Sequence, residues 1–208
     1  MKVVLEKEKL DKHYMRFFQP SRPVLVTTMN VDETVNVAPF SWISPISSTP
    51  PMIALALSAR PKSHHQFTLK NIRRNSEFIV NLPNITLKKK LVLSSYQYKD
   101  SINKFKLMGF EPQESKYTKV PGIAQCDVNV ECFSEKIIVT GDHDLIIARV
   151  KLITYEKESF DNNFLRSLDK EFPLLHFNQY HCDNGQIHIF AEGIKGYNRC
   201  FAEYPERD

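Results

Sequence analysis

Glycine is scarce, at six in 208 residues, and the shortage excludes a class of nucleotide sites. Dinucleotide fingerprints and P-loops need glycine where the backbone must approach a phosphate closely. Neither G-x-G-x-x-G nor G-x-x-x-x-G-K occurs in the chain, so any nucleotide phosphate must be met by side chains and a helix end. Long apolar runs are missing too. None approaches the ~20 residues of a membrane-spanning helix, and the opening Met1-Lys2-Val3-Val4-Leu5-Glu6-Lys7-Glu8 is charged too early for a secretory signal. The expectation is a cytoplasmic location and no membrane partner. Cys126, Cys132, Cys182 and Cys200 are widely scattered, which suits reduced thiols better than a disulfide framework. No G-x-S-x-G and no cysteine signature is present, so catalysis by a protein nucleophile is not expected. His176, His181, Cys182 and His188 lie near one another but lack the short spacing of structural zinc ligands. No metal site is expected.

What is present is ordinary for a soluble globular protein, with 42% apolar and 25% charged residues. The length suits one domain over residues 1–208. A net charge of +4, spread along the chain, does not call for nucleic acid or a membrane surface.

The informative stretch is Arg22–Pro83. Val24-Leu25-Val26-Thr27-Thr28 reads as a strand, Val31-Asp32-Glu33-Thr34 as a polar turn, and Val35-Asn36-Val37-Ala38 as the partner strand of a hairpin. Met52–Leu57, after Pro50-Pro51, has the length of a strand buried on both faces. Ser58-Ala59-Arg60-Pro61-Lys62-Ser63-His64-His65 then places hydroxyls and cations at that strand's end. Ser63 and Gln66 have capping-box spacing, which predicts a helix from near His64 with Phe67, Leu69 and Ile72 as its apolar contacts and Lys70, Arg73 and Arg74 facing water. A helix N-terminus beside Arg60 and Lys62 suits a phosphate. A solvated loop capping a helix accounts for the same residues.

Further on, Glu6–Phe18 reads as a short helix packed on the body, and Thr86–Tyr96 as an amphipathic helix through Leu87 and Leu91, its three lysines a solvated face. Tyr98–Val120 reads as a long irregular excursion of the kind that forms lids or subunit contacts. Ala124–Phe133, Glu135–Val139, Leu145–Tyr155 and Ile187–Phe190 have strand character, with Cys126, Val128, Val130 and Cys132 alternating onto one face. The fold class is mainly β with inserted helices, an antiparallel barrel.

The blocks Asn36-Val37-Ala38-Pro39-Phe40-Ser41, Ser48-Thr49-Pro50-Pro51, Thr68-Leu69-Lys70-Asn71-Ile72 and Glu77-Phe78-Ile79-Val80-Asn81-Leu82-Pro83, with Gly141-Asp142-His143 further on, resemble in order and spacing the flavin reductase-like, FMN-binding split-barrel family. The resemblance implies a split β-barrel that binds FMN, takes hydride from NADH or NADPH, and passes electrons to a monooxygenase or another acceptor. It also implies a homodimer whose excursion and second helix complete the partner's pocket. Ser58, Ala59, Arg60, Lys62, Ser63 and Thr68 would hold the phosphate, with Asn71 reading it or orienting the loop. Asn36, Ala38, Pro39, Phe40, Ser41 and Trp42 would run along the ring edge, although Phe40 and Trp42 fit a core or interface role equally well. His143, between Asp142 and Asp144, is the catalytic candidate, as a cation near the reduced ring. Two other readings stay open: a non-enzymatic FMN electron carrier, and a basic interaction or nucleic-acid module. The turn Asp32-Glu33-Thr34 lacks the glycine that the family often places there, and residues 160–208 match no motif of it.

Overall fold

The computed structural model describes residues 2–4, 6–7, 14–60, 66–96, 98, 102–166, 174–182 and 185–191, with side chains described as far as residue 177. The first element described in full is a 3-10 turn over Tyr14–Phe18. Strands β1 (Val24–Met29) and β2 (Val35–Phe40) form the expected hairpin, followed by β3 (Ile43–Ser48), β4 (Pro51–Ser58), helix α1 (Gln66–Asn75) and β5 (Glu77–Leu82). Two short helices come next, α2 (Lys88–Ser94) and α3 (Lys104–Leu107), then the two-residue strands β6 (Pro112–Gln113) and β7 (Gly122–Ile123). The long strands β8 (Val128–Thr140) and β9 (His143–Tyr155) follow, and β10 (Leu175–Cys182) and β11 (Gly185–Ala191) make a separate hairpin.

Seven strands form one sheet in the order β2-β1-β5-β8-β9-β4-β3, and each neighbouring pair is antiparallel. Its two edges, β2 and β3, are consecutive in the chain, with only Ser41 and Trp42 between them. The sheet therefore curls until those edges meet at one end, giving a barrel split along that seam. Val24, Val26, Ala38, Phe40, Leu55, Leu57, Phe78 and Val80 fill its interior, and Leu69 and Ile72 of α1 join the same cluster. A second cluster lies on the other face of the first hairpin, where Leu25 and Val37 meet Leu87, Leu91, Phe105, Met108 and Phe110.

The glycine missing from the first turn is replaced by a side-chain device. Asp32 Oδ1 accepts from Thr34 N at 3.1 Å and from Thr34 Oγ1 at 2.7 Å, and Glu33 takes the left-handed position at φ 62°.

Several expectations are corrected. Strands β1 and β5 are buried on both faces and β4 is not: Leu55 and Leu57 point into the barrel, while Ala54 and Ala56 on the opposite face are half-buried. Phe67 is exposed, and Thr68 and Asn71 take the buried positions of α1 beside Leu69 and Ile72. Of the predicted N-terminal helix, Lys7 is helical and Tyr14–Phe18 forms a 3-10 turn with no buried residue, while residues 8–13 lie outside the described residues. The excursion from Tyr98 is no open lid, because Phe105, Met108 and Phe110 anchor it in the second cluster. Ala124–Phe133 and Glu135–Val139 are largely one strand, β8. Val130 and Cys132 share the barrel-interior face as expected, but Cys126 belongs to the second cluster, so the alternation does not extend to it. The predicted helix start at Ser63 and His64 lies outside the described residues. Among the described residues no helix is long and apolar enough to cross a membrane.

Candidate functional site

The alternation of β4 makes the site. Because Leu55 and Leu57 turn inward, Ala54, Ala56 and Ser58 share the outer face, where successive side chains alternate across a strand. The antiparallel register pairs Ala56 with Leu145 and Ser58 with His143, so both partners join that surface. Two small side chains on the strand leave a shallow floor, and an open cleft of about 790 Å³ lies over it. Ser41, Trp42 and Ser44 wall it along the seam, and the segment 14–22 closes another side.

At the Ser58 end the floor meets the turn between β8 and β9. Trp42 stacks on the His143 ring with centroids 4.5 Å apart and planes at 21°. His143 Nδ1 lies 2.7 Å from Asp142 Oδ1, and the Arg60 guanidinium pairs with the other carboxylate oxygen. The histidine's hydrogen bond, followed by the Arg60 contact, holds the Asp142 carboxyl below the usual carboxylate range. The Ala59 amide donates to the Asp142 carbonyl at 3.0 Å. On the opposite side of β9, buried Asp144 accepts from Arg73 Nη2 of α1 at 2.5 Å. The turn carrying His143 is thereby tied both to the end of β4 and to α1.

The sequence-derived candidates divide into groups. Ser41 and Trp42 line the cleft, and Ser58, Ala59, Arg60 and His143 do not but follow the β4 floor just beyond its lining, with the Arg60 charge already met by Asp142. Asn36, Thr68 and Asn71 are brought together elsewhere. Asn36 Nδ2 donates to Thr68 Oγ1 at 2.9 Å and to Thr28 Oγ1 at 3.1 Å, and Asn71 Nδ2 donates to Thr28 Oγ1 at 3.0 Å and Asn30 Oδ1 at 2.8 Å. This buried network fastens α1 to the first hairpin, so these side chains face the hairpin rather than the cleft. Ala38 and Phe40 point into the barrel, which settles Phe40 as a core aromatic; Pro39 is half-buried. Lys62 and Ser63 lie outside the described residues. Sequence reasoning missed Ala54 and Ala56, whose signal was two small residues alternating with two leucines, and Arg16 and Arg22, which sit in no motif. It also missed the buried amide pair of β5 and β8, in which Asn129 Nδ2 donates to Asn81 Oδ1 at 2.8 Å.

The fold and the cleft together define an antiparallel split barrel with an open cleft on its outer face beside the seam. The chain belongs to the family of the flavin reductase like domain, whose model matches residues 15–184. It is 29% identical over 154 residues to an uncharacterized protein of Aquifex aeolicus (strain VF5), covering 74% of this chain and 79% of that one. Among solved structures, nitrilotriacetate monooxygenase component B from Bacillus cereus superposes with a TM-score of 0.80 at 19% identity, over 96% of this chain and 98% of that one. An FMN-binding protein from Thermus thermophilus with bound p-hydroxybenzaldehyde superposes with a TM-score of 0.69 at 21% identity, over 86% and 92%.

Proposed function

We propose that the chain is an FMN-binding flavin reductase that accepts hydride from NADH or NADPH and delivers electrons to a further acceptor. The observation that carries this reading is the small-residue floor of Ala54 and Ala56 under an open cleft of about 790 Å³, within the range of sites that bury a drug-sized ligand. The donor set agrees with a flavin: hydroxyls of Ser41 and Ser44 beside the floor, and the Ser58–Arg60 segment beyond it. When bound, the flavin supplies the redox chemistry, taking hydride from a nicotinamide and releasing electrons onward.

The chain's own residues bind and orient. Trp42, held in place by its stack on His143, forms an apolar wall that would help to hold the flavin. Asp142 fixes the orientation of the His143 ring through its contact at Nδ1. Ser58 and Arg60 extend the same face toward an anionic tail, with Arg60 exchanging part of its contact with Asp142 for the ligand.

The fold neighbour named as a monooxygenase component supports an oxygenase partner as the electron acceptor. The exposed Phe17 and Phe18 on the segment bordering the cleft support a homodimer in which a second copy covers them, and the cytoplasm is the proposed location. Anaerobic titration of the FMN-loaded protein with NADH and NADPH tests the activity. Bleaching of the flavin absorbance at catalytic rates by at least one of them is expected; a yellow protein that neither bleaches points instead to an electron carrier.

A further inference from the structure

The cleft is charged in a way that the flavin reading leaves unexplained. Arg16 and Arg22 both line it, and no acidic side chain does so among the described residues. Neither arginine has a carboxylate within ion-pair reach among the described residues, and the neighbouring Arg166 is paired with Asp127. Arg22 is therefore left beside a second cation. Its side chain is open to the cleft, yet enough protein surrounds it to disfavour the charge, and Arg166 adds to that, so Arg22 falls below the ordinary arginine value. Unpaired guanidinium groups around a recess are the usual means of binding an oxyanion in two-pronged fashion.

The register gives the position of Arg22. Val24 pairs with Phe40, so Arg22, two residues earlier, comes alongside Ser41 and Trp42 at the seam. Arg60 follows Ser58, at the far end of the β4 floor. One stretch of floor is thus flanked by separate cationic groups, one on the Ser58–Arg60 segment and one on the segment 14–22. A single mononucleotide tail occupies only one of them.

We propose that Arg16 and Arg22 form the anion seat for the second substrate, so that the site selects a redox partner carrying an anionic group close to a planar ring. This rests on the flavin reading for the identity of the first ligand. The anion is either the pyrophosphate of a nicotinamide dinucleotide or the carboxylate of an aromatic acceptor. Both present paired oxygens to a guanidinium, and Tyr14 and Phe18 on the same segment offer rings for the planar part.

The test is a titration of FMN-loaded wild type, Arg16→Gln, Arg22→Gln and Arg22→Lys with NAD+, inorganic pyrophosphate and benzoate, followed by perturbation of the flavin spectrum. Each glutamine substitution is expected to weaken binding by about tenfold or more, and Arg22→Lys to recover part of it. Weakening confined to NAD+ and pyrophosphate assigns the seat to a dinucleotide; weakening confined to benzoate assigns it to an aromatic acid. Affinities unchanged in variants that retain FMN, or no binding of any probe to wild type, overturn the proposal. So does a fall in FMN affinity with riboflavin affinity intact, which would give the seat to the flavin's own phosphate. A wild-type protein that takes up no flavin sinks the flavin reading instead. Calorimetric titration of that same chain with pyrophosphate and benzoate then decides the seat, which stands on Arg22-dependent binding and falls without it.

Discussion

Thr28 Oγ1 accepts from both Asn36 and Asn71, at 3.1 and 3.0 Å, deep between the first hairpin and α1. Buried amides in such a network stabilise only while every member is partnered. Asn71→Ala removes the donors to Thr28 and Asn30 and should cost about 2–3 kcal/mol, read as a lower urea midpoint. Because the side chain points away from the cleft, the folded variant should keep its FMN affinity; a selective loss of FMN would return Asn71 to the binding site. These residues show where single-sequence reading stops. The block containing Asn71 was legible as a family feature, but whether an amide faces a ligand or a strand depends on a contact 43 positions away in sequence. Trp42 and His143 were both singled out from sequence, yet their stacking arises from the pairing of β4 with β9 and of Trp42 O with Ala56 N. No local pattern encodes it.

At the scale of elements, long strands and strongly amphipathic helices were readable because burial imposes a period. Strands β1, β2 and β9 and helix α2 fall close to where apolar, β-branched runs and helical spacing put them. The failures share a cause, namely which element covers which face. A run such as Met52–Leu57 is apolar throughout, and only the tertiary arrangement reveals that Ala54 and Ala56 face a cleft. The excursion after Tyr98 reads as polar because its anchors, Phe105, Met108 and Phe110, are isolated in sequence and converge only on folding. Helix α3 carries a testable cost. Lys104 is half-buried, its Nζ donating to the Ser94 carbonyl at 3.3 Å, and burial lowers its pKa from 10.5 to about 8. Between those two values the unfolded chain binds the proton that the folded chain has released, so this group's contribution to stability rises with pH from about 8 to about 10.5. Lys104→Met should gain on the order of 1–2 kcal/mol at pH 7 and remove that rise. Urea denaturation of both proteins across pH 7–11 checks it, and parallel curves would contradict it.

For the whole molecule, the sheet order follows from one feature, the two-residue link between the edge strands. It brings the seam, the β4 floor and the β8–β9 turn together on one side of the barrel. Residues far apart in sequence, from Arg16 to His176, thereby border a single cleft. The fold class was legible because several apolar blocks occur in a fixed order. The cleft was only half legible, because its floor is defined by the smallness of two alanines and its cations lie in no motif. The chain holds a single tryptophan, Trp42, and that residue forms part of the cleft wall. The central claim, that FMN lies on this floor, is tested most directly by titrating FMN into the wild type and Ala56→Leu while following Trp42 emission. The account predicts saturable quenching at one FMN per chain in the wild type, and affinity at least about tenfold weaker once the added side chain fills the floor. Equal quenching curves for the two proteins, or no quenching in the wild type, would contradict it.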